Sequence, residues 1–215
     1  MHVAIPLCLG LIAAAVVIGP ARPQDADNSL SLYTVRVGVG HGVYLGSGIV
    51  ITAAHVAGLE PRVVIAGADL PATDIKRGEL NDVDLALLSI DEHKLPADLR
   101  LRHMRLCQKP PGTGDPVVVA IPDGVARSYV MAKYLLPPNL PEKFRTVIRN
   151  VELGNSGSGV FDASEKCLLG IISQKITVTQ FKQLDGHEVS EPHDIAKYFV
   201  PASEIAQFIP PEVRY

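Results

Sequence analysis

Short apolar runs, separated by glycine, proline and small polar residues, recur along most of the chain after residue 31. Alternation is clearest from Leu32 to Val39, which places Tyr33, Val35, Val37 and Val39 on one face. This pattern is typical of a half-buried antiparallel strand. Further runs predict strands at Val43–Leu45, Gly46–Thr52, Arg62–Ile65, Leu70–Lys76, Leu85–Ile90, Pro116–Pro122, Ala126–Leu136, Phe144–Val151, Cys167–Ser173 and Ala196–Val200.

The segments between these runs predict turns, one lobe boundary and little helix. Gly40–Gly42 is expected to form a turn, and Ala53–Gly58 a single helical turn. The strand pattern lapses over residues 91–115, where we place the boundary between two all-β lobes. Helical spacing returns only over about residues 202–209. The sequence therefore predicts an all-β protein, either a pair of β-barrels or a β-sandwich, with a short C-terminal helix.

The N-terminal segment has the pattern of a targeting sequence. Val3–Ile18 is an apolar stretch, and small residues follow it up to Ala21. We interpret residues 1–21 as a signal peptide, followed by a short polar leader over residues 22–31. The alternative is an uncleaved single-helix anchor. Either interpretation places the folded part outside the cytoplasm, secreted or periplasmic if cleaved and membrane-anchored if not.

Composition narrows the class of protein. The chain has 215 residues, 47% of them hydrophobic and 20% charged, with a formal net charge of -3. This composition fits one domain or two small lobes and gives no reason to expect nucleic acid as a partner. The seven histidines have no metal-site spacing, so neither a metal nor a cofactor is expected. Cys107 and Cys167 are either one disulfide of an exported protein or two buried thiols.

Three residues of chemical interest lie where predicted strands end. Ser156 lies in the glycine-rich segment Gly154–Phe161, where glycines allow a sharp turn that presents a hydroxyl. His55 follows a buried strand and two small alanines. Asp84 directly precedes an apolar strand, so its carboxylate needs a buried partner such as a histidine N–H. Asp82 is the alternative acid, but we interpret it as a solvated turn residue.

These segments together resemble the trypsin-like serine peptidase family. The resemblance rests on Gly48–Val56 around the histidine, Asp84–Leu88 around the acid and Gly154–Gly159 around the serine, with Leu169–Ser173 as a fourth similar strand. It extends over roughly residues 32–209 and implies two six-stranded antiparallel β-barrels with the active site between them. The barrels would cover about residues 32–95 and 112–200 within a peptidase domain of residues 32–215.

The resemblance also implies a role for each residue. His55 would take the proton of Ser156 during attack on a carbonyl, and Asp84 would orient the imidazole. The backbone N–H groups of Gly154 and Ser156 would bind the oxyanion. In the family, the primary specificity pocket is lined by positions that correspond here to Asn150, Ser173, Gln174 and Lys175. None of these is acidic. Lys175 or His187 could suit an acidic substrate side chain, although both residue types are usually exposed.

Departures from the family pattern refine the expectation. Asn155 replaces the aspartate that pairs with a newly cut amino terminus in zymogen-activated members, so activation by cleavage is not expected. Ser158-Gly159 replaces the commoner Gly-Pro pair. We expect a bacterial-type enzyme without a PDZ domain, and a monomer.

The sequence thus predicts an exported serine endopeptidase acting on protein or peptide substrates. The alternative is a catalytically silent protein of the same fold that binds a peptide or a partner. A membrane-tethered peptidase would have the same chemistry and retain the N-terminal segment.

Overall fold

Two antiparallel six-stranded sheets form the body of the protein in the computed structural model, which describes residues 27–140, 146–184 and 187–215. The first six strands are β1 (Thr34–Val37), β2 (Gly40–Gly46), β3 (Ile49–Thr52), β4 (Arg62–Ile65), β5 (Ala68–Arg77) and β6 (Ala86–Ile90). The second six are β7 (Pro116–Ile121), β8 (Gly124–Tyr129), β9 (Val147–Arg149), β10 (Gly159–Asp162), β11 (Leu168–Leu184) and β12 (His187–Pro201).

The first sheet is a closed barrel with the strand order β1-β2-β3-β6-β5-β4. Its interior is filled by branched apolar side chains such as Val35, Val50 and Leu88. Closure leaves no unpaired strand edge, which satisfies the backbone of these short strands internally. The barrel therefore gives the segments at its strand ends a rigid support.

The second sheet has the order β8-β7-β10-β11-β12-β9, and a bridge between Val130 and Ile148 brings its two edges together. Phe161, Leu168 and Ile171 are fully buried within it. The predicted C-terminal helix is present as Ala202–Phe208 and packs through Ile205 and Phe208. The predicted all-β fold with two six-stranded units and a C-terminal helix is confirmed.

The predicted turn at Gly40–Gly42 is wrong. These residues belong to β2, and the turn lies at Gly38–Val39. A Cβ on Gly40 would lie 2.4 Å from the backbone oxygen of Ser156, so this glycine permits close approach of another segment within a strand. Val39, predicted on the buried face, is 88% exposed because β1 ends at Val37.

The last two long strands extend far beyond their predicted ends. β11 and β12 pair from Gly170 with Pro201 to Leu184 with His187, whereas the sequence predicted strands only at Cys167–Ser173 and Ala196–Val200. The predicted strand Ala126–Leu136 is shorter, because β8 ends at Tyr129 and a 3-10 turn follows at Lys133–Leu135. A four-residue helix, Ala97–Arg100, was not predicted.

The N-terminal targeting prediction lies outside the described residues, except for the end of the polar leader. There Asp27 is buried, and Leu30 packs into the same core as Phe161. In the described ranges, no helix is long and apolar enough to cross a membrane.

Candidate active site

His55 lies in a 3-10 turn, Ala54–Val56, that is separated from the end of β3 by one residue. Ala53 and Ala54 are buried, so the turn packs closely against the barrel and leaves the imidazole at its edge. Arg77 donates from Nη1 to the Ala54 carbonyl at 3.1 Å and forms two hydrogen bonds with Asp74. The His55 side chain is 31% exposed, which keeps one face of the ring open to a substrate.

Asp84 is the buried acid of the site and is only 2% exposed. Its Oδ2 lies 2.8 Å from Nδ1 of His55, and its Oδ1 accepts from the His55 backbone N–H at 3.2 Å. Oδ2 also accepts the hydroxyl of Ser173 at 2.5 Å. Three donors thus satisfy the buried carboxylate and fix the histidine against it. The alternative acid, Asp82, is exposed.

Ser156 lies in a turn before β10 whose glycines have backbone angles that other residues rarely adopt. Gly154 and Gly157 have φ values of +93° and +86°. A Cβ on Gly157 would lie 1.8 Å from the His41 carbonyl oxygen, so the loop packs directly on β2 of the first barrel. The N–H of His41 donates to the Ser156 carbonyl at 3.0 Å. The Ser156 hydroxyl donates to the Ser173 carbonyl at 2.9 Å.

His41 supports this docking of the two sheets. Its carbonyl accepts from the Thr52 hydroxyl at 2.5 Å, and its Nδ1 lies 3.3 Å from the Ser158 hydroxyl. Burial lowers the pKa of His41, and nearby Arg36 lowers it further. The ring is therefore neutral at neutral pH and can accept or donate a hydrogen bond under the loop.

His55 and Ser156 line one cleft of about 230 Å³ between the two sheets, together with Gly154, Gln174 and Lys175. Cavities of about 380 and 700 Å³ lie elsewhere on the surface and contain none of these residues. Within the described part of the chain, the N–H groups of Gly154 and Ser156 have no hydrogen-bond acceptor, whereas Gly157 donates to Ile172. The cleft thus combines a hydroxyl, an acid-supported imidazole and free N–H donors.

The residues predicted to line the specificity pocket divide into two groups. Gln174 and Lys175 line the cleft, but Lys175 donates to Asp194 at 2.7 Å. Hydrogen bonds from Lys175 and Thr177 lower the pKa of Asp194, which keeps this partner anionic. The positive charge of Lys175 is therefore already matched at the cleft rim. The side chain of His187 lies outside the described residues.

Asn150 and Ser173 are not among the described residues that line the cleft. The side-chain oxygen of Asn150 is buried without a hydrogen-bond partner in the described structure. The hydroxyl of Ser173 donates its hydrogen bond to Asp84.

The alternatives for the two cysteines are resolved. Cys107 and Cys167 form a disulfide with a Cα–Cα distance of 5.1 Å. The Cys107 N–H also donates to the Leu168 carbonyl at 2.9 Å. The bridge ties the segment that joins the two sheets to the start of β11.

Sequence reasoning missed one polar residue close to the serine loop. Lys197, on β12, is buried and donates from Nζ to the carbonyl oxygens of Leu153 and Gly154. Its position in an apolar strand run was the available signal, because a lysine within a buried strand needs a polar partner.

The fold and the order of these residues define the class of trypsin-like peptidases. The family model described as trypsin-like peptidase domain matches residues 40–171, and the chain belongs to this family. No sequence among the curated proteins matches the chain.

Solved structures of proteases share the fold. The Rv3671c protease in its inactive form is 22% identical, with a TM-score of 0.58 over 87% of this chain and 94% of that chain. The active form of the protease, from M. tuberculosis, is 19% identical, with a TM-score of 0.60 over 94% and 92%. The MamO protease domain from Magnetospirillum magneticum is 20% identical, with a TM-score of 0.54 over 84% and 97%.

Proposed function

We propose that the protein is an exported serine endopeptidase that uses Ser156 as nucleophile, His55 as general base and Asp84 as the acid that orients His55. One observation carries the proposal: Asp84 binds Nδ1 of His55 at 2.8 Å, and His55 lines the same cleft as Ser156. Because Nδ1 faces the carboxylate, Nε2 is the nitrogen available to the serine proton. Membership in the peptidase family supports the reaction class.

The proposed reaction has two halves. Ser156 Oγ bonds to the substrate carbonyl carbon while its proton passes to His55, and the negative charge collects on the carbonyl oxygen. The N–H groups of Gly154 and Ser156 would receive that oxygen. The C–N bond then breaks as His55 protonates the leaving amine. Water, deprotonated by His55, hydrolyses the resulting ester and restores Ser156.

The hydroxyl of Ser156 must turn for this reaction. In the substrate-free protein it donates to the Ser173 carbonyl at 2.9 Å. Catalytic hydrogen bonds are often poorly aligned before substrate binds. If the Ser156 hydroxyl kept its hydrogen bond to the Ser173 carbonyl when a peptide bound, the protein would be catalytically silent, which is the alternative function.

The specificity proposal places Gln174 and Lys175 beside the substrate, since both line the cleft. Lys175 is neutralised by Asp194, so the pocket has little net charge to attract an acidic side chain. Asn150 does not line this cleft itself; we keep it as a proposed pocket residue because its buried Oδ1 has no hydrogen-bond partner among the described residues. Cleavage of a peptide library, with products sequenced by mass spectrometry, would define the preference.

Export is proposed from the apolar N-terminal stretch and the disulfide. Disulfides persist in oxidising compartments, which the Cys107–Cys167 bridge would require. We propose a secreted or periplasmic monomer; a membrane-anchored form is the alternative. Mass spectrometry of the N-terminus of the protein recovered from its host distinguishes cleavage near Ala21 from retention of the leader.

Hydrolysis of casein tests the proposed activity. The wild-type protein is expected to release internal fragments, while Ser156→Ala and His55→Ala are not. Asp82→Asn, which changes an exposed carboxylate outside the cleft, serves as the matched control and should behave as the wild type. Equal fragment release by the wild type and Ser156→Ala would show that Ser156 is not the nucleophile.

A further inference from the structure

Lys197 is a buried cation directly beneath the serine loop. Only 3% of its surface is exposed, although lysine is among the residues least often buried. Its ammonium donates to the Leu153 carbonyl at 3.1 Å and to the Gly154 carbonyl. Both acceptors belong to the segment just before Ser156, so the lysine connects β12 to the backbone of the proposed oxyanion site.

The geometry of the peptide bond links this contact to the cleft. The Leu153 carbonyl and the Gly154 N–H belong to one peptide unit, and in a trans peptide the two groups point in opposite directions. A cation that holds the carbonyl on the buried side therefore directs the Gly154 N–H to the other side. Gly154 lines the cleft, so that side is where the substrate carbonyl would bind.

The local backbone at residue 154 suits glycine and no larger residue. Gly154 has a φ of +93°, and a Cβ at this position would lie 2.5 Å from a methyl group of Val119. Carbonyl oxygens of two successive residues reach one ammonium here. Without the cation, one buried and one partly buried carbonyl would lose their described side-chain donor, and the peptide would lose a contact that favours this orientation.

We infer that Lys197 is a positioning residue that orients the Gly154 N–H toward the oxyanion. The inference rests on the proposed serine peptidase function and adds to it an internal cation that holds the site in its reactive shape. Asn155, the residue next to Ser156, is uncharged and exposed, so it offers that cation no ion pair. The backbone carbonyls take its place as acceptors.

The charge of Lys197 is sensitive to pH. Burial, and after it the positive charge of nearby Lys175, lower the pKa of Lys197 to about 8, against the opposing effect of the Asp194 carboxylate. The ammonium is present below this value and is lost as the pH rises through it. Lys175 and Asp194 are the charged groups that act on it and belong to the strands β11 and β12.

The rate at which Ser156 reacts with a fluorophosphonate measures the role of Lys197 directly. Ser156 Oγ bonds to phosphorus as the P–F bond breaks, fluoride leaves, and the hydroxyl proton passes to His55. We expect Lys197→Met to lower the limiting rate about 10- to 100-fold, less than the largest losses seen when an oxyanion donor is deleted. The half-saturating probe concentration should not change. Lys197→Arg, which keeps the cation, should recover most of the rate.

Lys166→Met is the matched control, because it removes another ammonium that is hydrogen-bonded to a buried residue, Asp27, and neither residue lines the cleft. Circular dichroism and thermal unfolding establish that each variant is folded. Equal limiting rates for the wild type and Lys197→Met would overturn the role of Lys197 but leave the proposed function standing. A variant that only needs more probe for half-saturation, with an unchanged limiting rate, would do the same. No reaction of the wild type would overturn the proposed function and this role with it.

The pH dependence keeps the inference testable if Lys197→Met does not fold. The limiting rate of the wild type should fall above about pH 8. Lys197→Arg should lack this decline, because a guanidinium does not deprotonate in this range. A wild-type rate without the decline, or the same decline in both proteins, would overturn the inference.

Discussion

Ser173 donates its hydroxyl to Asp84 at 2.5 Å, and it does so at Oδ2, the oxygen that lies 2.8 Å from the imidazole of His55. Ser173 belongs to β11 of the second sheet, whereas Asp84 lies two residues before β6 of the first barrel. The contact fixes the acid from both halves of the protein. The carbonyl of Ser173 also accepts from Ser156, so one residue contacts both ends of the proposed triad.

Ser173→Ala tests this contact. A hydrogen bond to a charged group is worth about 1.5–3 kcal/mol, so we expect kcat/KM for a cleaved peptide to fall roughly tenfold or more. The backbone carbonyl of residue 173 is retained, which separates the hydroxyl from the contact with Ser156. An unchanged kcat/KM in the folded variant would show that His55 alone positions Asp84.

Asp84→Asn and Asp82→Asn form a matched pair for the identity of the acid. Replacing Asp84 by its amide removes the negative charge that holds His55 in the Nδ1–H tautomer, so kcat should fall about 10⁴-fold. Asp82 is exposed, so its amide variant should differ less than about twofold from the wild type. A larger loss of kcat in Asp82→Asn than in Asp84→Asn would identify Asp82 as the acid.

Asp27 anchors the N-terminal segment to the second sheet. It is 1% exposed and pairs with Arg127 at 2.6 Å and with Lys166. Its two cationic partners are partly exposed, and hydrogen bonds to a charged group are worth about 1.5–3 kcal/mol, so Asp27→Asn should lower the free energy of unfolding by about that amount at neutral pH. Urea titration measures it. An unchanged midpoint would show that the ion pairs contribute nothing.

The difference in the free energy of unfolding between the wild type and Asp27→Asn should depend on pH in a defined direction. Burial raises the pKa of Asp27, but the hydrogen bonds and charges of Lys166 and Arg127 outweigh it and hold the pKa below the ordinary 3.8. The stabilisation is therefore complete above that value and is lost as the pH falls through the lower pKa of the folded state. The wild type and Asp27→Asn should converge in acid; a difference that grows there would contradict the assignment.

Replacing both cysteines of the disulfide by serine tests its contribution. The bridge closes a loop with a sequence separation of 60. Chain entropy predicts a loss of about 4 kcal/mol in the free energy of unfolding for a loop of this size. Chemical denaturation of the double variant measures the loss. A difference near zero would mean that the native contacts alone hold the linker to β11.

The sequence was most informative where apolar patterns and burial coincide. Arg62–Ile65 is predicted with the bounds that the structure has, and His55, Asp84 and Ser156 all lie at predicted strand ends. Gly40 and Gly42 misled the prediction because a glycine can serve either a turn or a close approach of two segments. Here a side chain on Gly42 would lie 2.9 Å from Val37, a constraint visible only in the folded protein.

The sequence did not reveal the full length of the β11–β12 hairpin or the role of Lys197. The described side chains of the added length are largely exposed, whereas Lys197 is buried. Over residues 177–181 and 189–193, every described side chain except that of Val178 is exposed, so burial imposes little hydrophobic pattern on this part of the two strands. Lys197 lies among buried residues, but its partners are backbone carbonyls of a loop more than forty residues earlier. Backbone acceptors leave no trace in the residue types of a sequence.

Covalent mapping of a fluorophosphonate adduct tests the central claim most directly. The wild-type protein is incubated with the probe, digested, and analysed by mass spectrometry beside Ser156→Ala. The account predicts one phosphonyl adduct on the peptide that contains Ser156, and none in the variant. An adduct on a different residue, or a wild-type protein that stays unmodified while its fold is intact, would contradict the assignment of Ser156 as the nucleophile.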